Sequence, residues 1–507
     1  RYPAATWTAS KQVNARHNWT PRTPEPMFQR LDPVTPKRFC MRPVAAVALF
    51  VSLLPGQVGA QNPDQATRRL EREIFAELIE INTSDSAGHT REAAEAMARR
   101  LIAVGLPVAD VQVLEAVPRQ GMLVARYRGD GTGGAPILLM AHLDVVDARR
   151  EDWSVEPYKF NENDGFYYGR GTTDNKAGAA MLVANFVRYR QEGFKPTRDL
   201  IIVLSSDEET QGASIAWVLK ERRSLVDAAY ALNTDGGGGE LREGKPITFS
   251  VQAAEKMYLS FHLEVRNKGG HSSLPIPDNA IYRLAAGLNR IAGYTFPVNL
   301  TEVSRAYFAA SAATQPAELA DLMREVARDG SPAAAARLSA VHPYYNSVLR
   351  TTCVATELLG GHAENALPQL ARATVNCRII PTESADSVEA TLKRLVADTA
   401  IRFSRVQALR PSPPSPLSEE IMAPLTRLVG ELWPGAGVVP EMSTGATDGL
   451  YTRNAGIPTY GVAGIFEEVG DVRAHGRDER VGVKAYHDAA EFWYRFVKTL
   501  ASRRPGA

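Results

Sequence analysis

The sequence predicts an α/β fold. A mixed, mainly parallel sheet lies between helices, and a smaller α+β domain with a βαββαβ-like order is inserted into it. Three observations carry this expectation. Continuous apolar runs at 137–141, 200–204 and 228–232 read as strands buried on both faces. Helical patterns separate these runs, as parallel strands require. Between 258 and 401 the pattern changes to strand, helix, two strands, helix, strand, with alternating rather than continuous apolar residues. A chain of 507 residues is also too long for one core.

In chain order, 1–40 is rich in Pro, Arg and Thr without periodicity, and is expected to lie outside the fold. Met41-Arg42-Pro43, the short apolar run 44–54 and Val58-Gly59-Ala60 have the form of a signal peptide, with Met41 as start and cleavage after Ala60. The run is too short to span a bilayer comfortably, so the mature chain is expected to be exported, periplasmic or secreted, with no stable membrane span. An uncleaved anchor is the alternative. From 61 to 254 runs the first part of the large domain. An amphipathic helix places Leu70, Ile74, Leu78 and Ile81 on one face, and a second helix covers about 91–104. Strands follow at 111–114, 122–127, 137–141 and 166–168. A helix with Met181, Leu182 and Phe186 comes next, then the strand 200–204, a helix from about Ser214 and the strand 228–232.

The inserted domain is expected at 255–410. It comprises a strand at 258–265, a helix with Ile281, Leu284 and Leu288, strands at 352–358 and 371–380, a helix at 384–397 and a strand near Ile401. Residues 296–350 form a long, Ala-rich, helical insertion within it. The Pro-rich stretch 411–416 is a natural return linker. It leads to the second part of the large domain, 411–507, with a strand at 457–462 and a closing helix at 483–500.

The formal net charge of +1 gives no footprint for nucleic acid or an acidic membrane surface. After Ala60 only Cys353 and Cys377 remain, without CxxC spacing, which excludes a thiolate zinc site. They lie on consecutive strands, and a hairpin turning at 363–366 brings them roughly opposite. A disulfide and two buried thiols are both compatible with that placement.

The polar residues that carry chemistry fall where open α/β sheets place their ligands, at the carboxyl ends of strands. The strand 137–141 ends in His142-Leu143-Asp144, whose outer members share a face. Gly169-Arg170-Gly171-Thr172-Thr173-Asp174-Asn175-Lys176 opens a helix with Asp174 at or near its N-cap. The strand 200–204 runs into Asp207-Glu208-Glu209. Adjacent carboxylates there point different ways, so one can hold a metal while the other serves a bound water as base. Taken alone, the pair reads more readily as a solvated acidic loop. The strand 228–232 ends in Asn233-Thr234-Asp235, and Ala474-His475-Gly476 lies far downstream. Two histidines and three carboxylates form a ligand set for two hard or borderline cations sharing one carboxylate.

These motifs in this order (His-x-Asp, Gly-Arg-Gly-x-x-Asp-x-Lys, Glu-Glu, Asp-Gly-Gly, His-Gly) resemble the M20 family of di-zinc metallopeptidases. That family includes glutamate carboxypeptidases, aminoacylases and carboxypeptidase S. The resemblance implies a zinc-peptidase catalytic domain with a lid inserted into it, and two Zn2+ per chain, with Co2+ or Mn2+ as substitutes. It implies that His142, Asp174 and Asp235 bind one ion, and Asp174, Glu209 and His475 the other. Glu208 is then the general base and Asp144 the residue that orients His142. A cis peptide bond is implied at Asp174-Asn175. The resemblance makes His271, in Gly269-Gly270-His271-Ser272-Ser273, the lid residue that stabilises the oxyanion. Asn365, Arg378, Gly445 and Thr447 become substrate contacts.

For Arg378, a salt bridge to a lid acid such as Glu357 is the structural alternative. The implied reaction is hydrolysis of an amide bond next to a free carboxylate, in a dipeptide or an N-acyl amino acid. A di-zinc aminopeptidase and a non-catalytic binding relative are the other readings. His342-Pro343-Tyr344-Tyr345-Asn346-Ser347 resembles the carboxypeptidase S-like branch. Compact members form homodimers through the edge of the lid sheet, and an insertion placed at that edge would bury it.

Overall fold

A computed structural model describes residues 63–503. The leader and cleavage site expected within 1–60 lie outside the described residues. The first helix, Pro63–Glu80, buries Ile74 and Leu78, as its spacing demands.

The large sheet has ten strands among the described residues. Its centre is parallel: Leu200–Ser205, Ile137–His142, Tyr230–Asn233 and Thr459–Gly461 lie side by side. The three continuous apolar runs of the sequence supply its core strands, each strand buried along its whole length, the third starting at Tyr230 rather than at 228. On one side Gln120–Tyr127 and Val111–Val117 add an antiparallel hairpin. On the other side the sheet continues through Lys245–Glu255, Gly238–Arg242 and Phe466–Glu468, with Gly437–Ser443 parallel to Lys245–Glu255. This second wing was not read from the sequence, because the wing strands alternate polar with apolar residues. The alternation has a physical reason. Phe249 and Phe466 face a core with Trp433 and Phe492, while Ser250 and Glu467 face the other way. The helix Glu419–Leu432, which carries Pro424, was likewise unread.

The small sheet is antiparallel throughout, in the order Thr352–Gly360, Leu370–Ile379, Met257–Arg266, Arg402–Arg405. The helices Ala280–Ala292 and Ala385–Val396 cover one face. Leu284, Ile291, Val388 and Leu392 pack there against Leu259, Phe261 and Val375. The chain crosses between the sheets at Glu255. Its fully buried carboxylate pairs with Arg453 at 2.7 Å and accepts hydrogen bonds from Gln252, Ser412 and Thr447. One side chain thus ties the outgoing crossing to the returning segment 411–416. Removing one partner of a buried pair typically costs about 3–5 kcal/mol. Glu255→Ala is therefore expected to lower the urea midpoint by a corresponding amount, and an unchanged midpoint would contradict the pinning role.

Cys353 and Cys377 are directly paired in register across two antiparallel strands and are bonded to each other. Thiol titration of denatured, non-reduced residues 61–507 should find no free thiol, and two after reduction. Reduction should cost about 2–4 kcal/mol of stability.

The 296–350 insertion is helical, with helices Glu302–Ser311, Ala317–Asp329, Pro332–Val341 and Pro343–Leu349. It does not bury the small-sheet edge. Val303, Phe308, Met323 and Leu338 belong to the core of the large sheet, while the edge strand Thr352–Gly360 stays exposed along most of its length. Those apolar helix faces need a partner surface, and the second wing of the large sheet supplies it.

Candidate metal centre and active site

The site is built from strand ends and the loops that follow them. His142 is the last residue of its strand, and its Nε2 lies 2.9 Å from Asp174 Oδ1. The orienting contact from Asp144 runs through its backbone: His142 Nδ1 is 2.9 Å from the Asp144 carbonyl and 3.6 Å from the carboxylate. The Asp144 carboxylate instead accepts the backbone N–H groups of Glu208 (3.1 Å) and Glu209 (2.9 Å). It thereby fixes the loop bearing the adjacent acids.

Asp207 completes that loop. Its carboxylate accepts N–H bonds from Ala213 and Ser214, capping the helix Ala213–Glu221, and its carbonyl accepts from Gln211 and Gly212. Asp207 is buried, and its role escaped sequence reading because its neighbours are also acids.

Asp174 lies near the helix N-cap, as expected, one residue before it. The helix starts at Lys176 with Asn175 in the cap position, following a cis Asp174-Asn175 peptide bond. The Asp174 carboxylate turns to His142 and to His475, whose Nε2 is 3.1 Å away. Its loop is held by Glu479, a fully buried residue to which the sequence assigned no role. Glu479 accepts N–H bonds from Gly171, Thr173 and Asp174 and pairs with Arg170 at 2.6 Å. Arg170 also donates to the Gly476 carbonyl, so the His475 loop is stapled to the Asp174 loop. Gly178 allows the helix to approach the Asp235 strand end, since a Cβ there would fall 2.0 Å from Thr234 Oγ1. His475 Nε2 also lies 3.0 Å from Glu209.

The ligand atoms of His142, Asp174 and Asp235 lie within 4.8 Å of one another, as do those of Asp174, Glu209 and His475. Asp174 belongs to both groups. The donors are imidazole nitrogens and carboxylate oxygens, the set that divalent first-row cations take. The electrostatics agree with a site short of positive charge. Burial, followed by the nearby Asp174, pushes Asp235 up to about 8. Burial and the nearby Asp235 raise Glu208 well above the usual carboxylate range. Hydrogen bonds donated to Asp174 and Glu209 bring His475 up to about 10. Burial opposes ionisation of Asp174, but hydrogen bonds accepted from His142 and His475 outweigh it and hold that carboxyl far below its ordinary value. Four carboxylates facing two imidazoles fit two dications.

Asp448, buried and hydrogen-bonded to Ser205, also stands in electrostatic reach of Glu208; burial pushes it up to about 7. It lies in the segment read only as a substrate loop. In that segment Gly445 N–H donates to Ser443, and the Thr447 hydroxyl donates to Glu255 while accepting from Gly449. The other expected substrate contacts, His271, Asn365 and Arg378, make no hydrogen bond or ion pair to the acids of the site among the described residues. His271 sits on an exposed two-stranded ribbon, paired with Ala366, and its Nδ1 accepts from Ser273. Asn365 is beside it, its carbonyl accepting from Ser272. Arg378 lies over the Tyr258 ring, 4.7 Å from its centroid, and donates to the Thr444 carbonyl.

Comparison with known proteins agrees with this geometry. Residues 138–499 match the model of peptidase family M20/M25/M40. The N-fatty-acyl-amino acid synthase/hydrolase PM20D1 of Homo sapiens is 30% identical over 72% of this chain and 74% of its own. The probable carboxypeptidase S-like 2 of Dictyostelium discoideum is 26% identical over 74% of each chain. Among solved structures, an M20 family metallo-carboxypeptidase from Sulfolobus solfataricus superposes with a TM-score of 0.65. It is 16% identical and covers 85% of this chain and 99% of that one. With the family's match spanning every strand end that supplies a ligand group, this chain is an enzyme that belongs to peptidase family M20/M25/M40.

Proposed function

We propose that the protein is a di-zinc hydrolase of amide bonds next to a free carboxylate, acting on dipeptides or N-acyl amino acids. The observation that carries this reading is the carboxylate of Asp174, shared by two ligand groups, with Glu208 beside them on a loop that Asp144 immobilises. His142, Asp174 and Asp235 would hold one ion, and Asp174, Glu209 and His475 the other. When bound, the ions supply Lewis acidity at the scissile carbonyl and at the attacking water.

The chain's own residues do the remainder. Glu208 accepts the proton of the water as its oxygen adds to the carbonyl carbon, and then gives that proton to the leaving nitrogen as the C–N bond breaks. His271 donates to the carbonyl oxygen when the small sheet closes as a lid, and Asn365, Gly445 and Thr447 line the closed cleft. Arg378 receives the substrate's free carboxylate.

The human relative's name supports N-acyl amino acids as substrates, and the carboxypeptidase-like name supports a free carboxyl terminus. A screen of both substrate classes against the metallated protein tests the proposal. Extended treatment with a chelator is expected to abolish turnover, and Zn2+, Co2+ or Mn2+ to restore it. Activity that survives at less than one metal per ten chains would sink the metal assignment.

The proposal includes export and a homodimer through the small-sheet edge. Val354, Leu358 and Leu359 are exposed on that strand, and no helix among the described residues is long and apolar enough to cross a membrane. Light scattering on the native protein and on Leu358→Lys checks the assembly: a dimer should become a monomer.

A further inference from the structure

A chamber of about 820 Å3 opens beside Asp174 and Asp235. Its floor is the outward face of the second wing of the large sheet. Because Phe249 and Phe466 turn into the core, their strand neighbours turn into the chamber, and Glu467 lies in register beside Glu240. Glu441 joins them from the strand Gly437–Ser443. The roof is the 296–350 insertion, which lays Tyr307, Tyr344 and Tyr345 over this floor. Tyr344 donates a 3.0 Å hydrogen bond to Glu441, tying roof to floor.

The volume belongs to a ligand much larger than one amino acid. Arg378 and Thr444 do not line the chamber. If Arg378 holds the free carboxylate, the part of the substrate that enters the chamber is the part on the acyl side of the scissile bond. The lining mixes apolar side chains, among them Leu319, Val341, Val439 and Ile465, with carboxylates, and the carboxylates then decide the polar character of that part. Glu240, Glu441, Glu467 and Glu468 line the space against Arg242 as the one guanidinium among the described lining residues. Burial has already raised Glu441, and Glu467 to about 7. A hydrocarbon chain would strip water from these carboxyls and return no hydrogen bond. An ammonium group supplies both charge and donors.

We propose that this chamber is the acyl-side subsite, that the insertion is its roof, and that it selects an extended peptidyl group whose amino-terminal or lysyl ammonium meets Glu240, Glu441 and Glu467. The inference rests on the amide-hydrolase reading above and names its substrate class as short peptides with a cationic acyl portion.

The test measures calorimetric affinity on metallated Glu208→Gln protein, in which cleavage is slowed about 10²–10⁴-fold. The ligands share one carboxyl-terminal residue and differ in the acyl part: acetyl, dodecanoyl, a lysyl-containing tripeptide with a free amine, and its doubly acetylated form. The free tripeptide should bind about tenfold more tightly than its acetylated form. Glu467→Gln, which has no side-chain hydrogen bond to lose among the described residues, should narrow that gap to about threefold or less. Adding Glu441→Gln, whose amide oxygen still accepts from Tyr344, should narrow it further. Tightest binding of the dodecanoyl ligand, indifferent to both substitutions, would overturn the proposal in favour of a hydrocarbon pocket. Equal affinities for all four ligands would show that the chamber is not a subsite. Wild-type hydrolysis of the acetyl ligand tests the underlying reading separately. Its absence, with none of the other three ligands cleaved, overturns that reading; its presence with flat affinities overturns the chamber alone.

Discussion

Glu208→Gln should retain two metal ions per chain and lose about 10²–10⁴-fold in kcat, equivalent to about 3–5 kcal/mol of transition-state stabilisation. The expectation follows from how the loop is built. Asp144 holds Glu208 and Glu209 by their backbone N–H groups, and Asp207 caps the next helix, so none of these bonds involves the Glu208 side chain. The amide is nearly isosteric, and the ligand groups do not include Glu208. The substitution therefore removes a proton acceptor and nothing that shapes the site. Elemental analysis and kcat on the same preparation check it. A fully metallated variant with near-native turnover would show that the base lies elsewhere, with Asp448 the next carboxylate to test. Asp174→Ala is the contrasting case, because a residue common to both groups should take both ions with it.

The centre of the fold and the placement of the candidate ligand residues were legible because each rests on local pattern. Buried parallel strands are apolar throughout, and polar residues placed just past their ends have little reason to be there except a site. The second wing was illegible for the opposite reason. Its strands face a core on one side and a chamber on the other, so Lys245–Glu255 carries Thr248 and Ser250 where a fully buried strand would carry valine or isoleucine. Supporting residues were hidden by distance in sequence. Glu479 holds a loop some 300 residues earlier, and Glu255 pairs with Arg453 across the whole small sheet. Neither has a neighbouring motif to mark it. The insertion's destination was misjudged because its apolar helix faces require a partner surface, and that surface was the unread wing.

Arg378→Ala should raise KM about 10–100-fold for substrates with a free carboxyl terminus, and should erase most of their advantage over the matching amides. The structure sharpens the case for this residue. Glu357, the acid that could have neutralised it, accepts instead from Thr374 at 2.8 Å. Among the described residues Arg378 forms no ion pair; its contacts are the Tyr258 ring and a long 3.4 Å bond to the Thr444 carbonyl. Burial lowers its pKa from the ordinary guanidinium value, which records a charge partly removed from water without a counter-ion. Such a group gains most from an arriving carboxylate, and its planar fork accepts one bidentately. A hydrogen bond to a charged group contributes about 1.5–3 kcal/mol, which at 1.4 kcal/mol per tenfold gives the range stated. Because the contact is made alike in the bound substrate and the transition state, the loss should fall on KM and spare kcat. The acid and amide forms of one dipeptide, assayed on both proteins, separate this enzyme from an aminopeptidase. An aminopeptidase reads the other end of the peptide and is indifferent to a blocked carboxyl terminus. Equal wild-type rates on the two forms would remove both the role of Arg378 and the requirement for a free carboxylate.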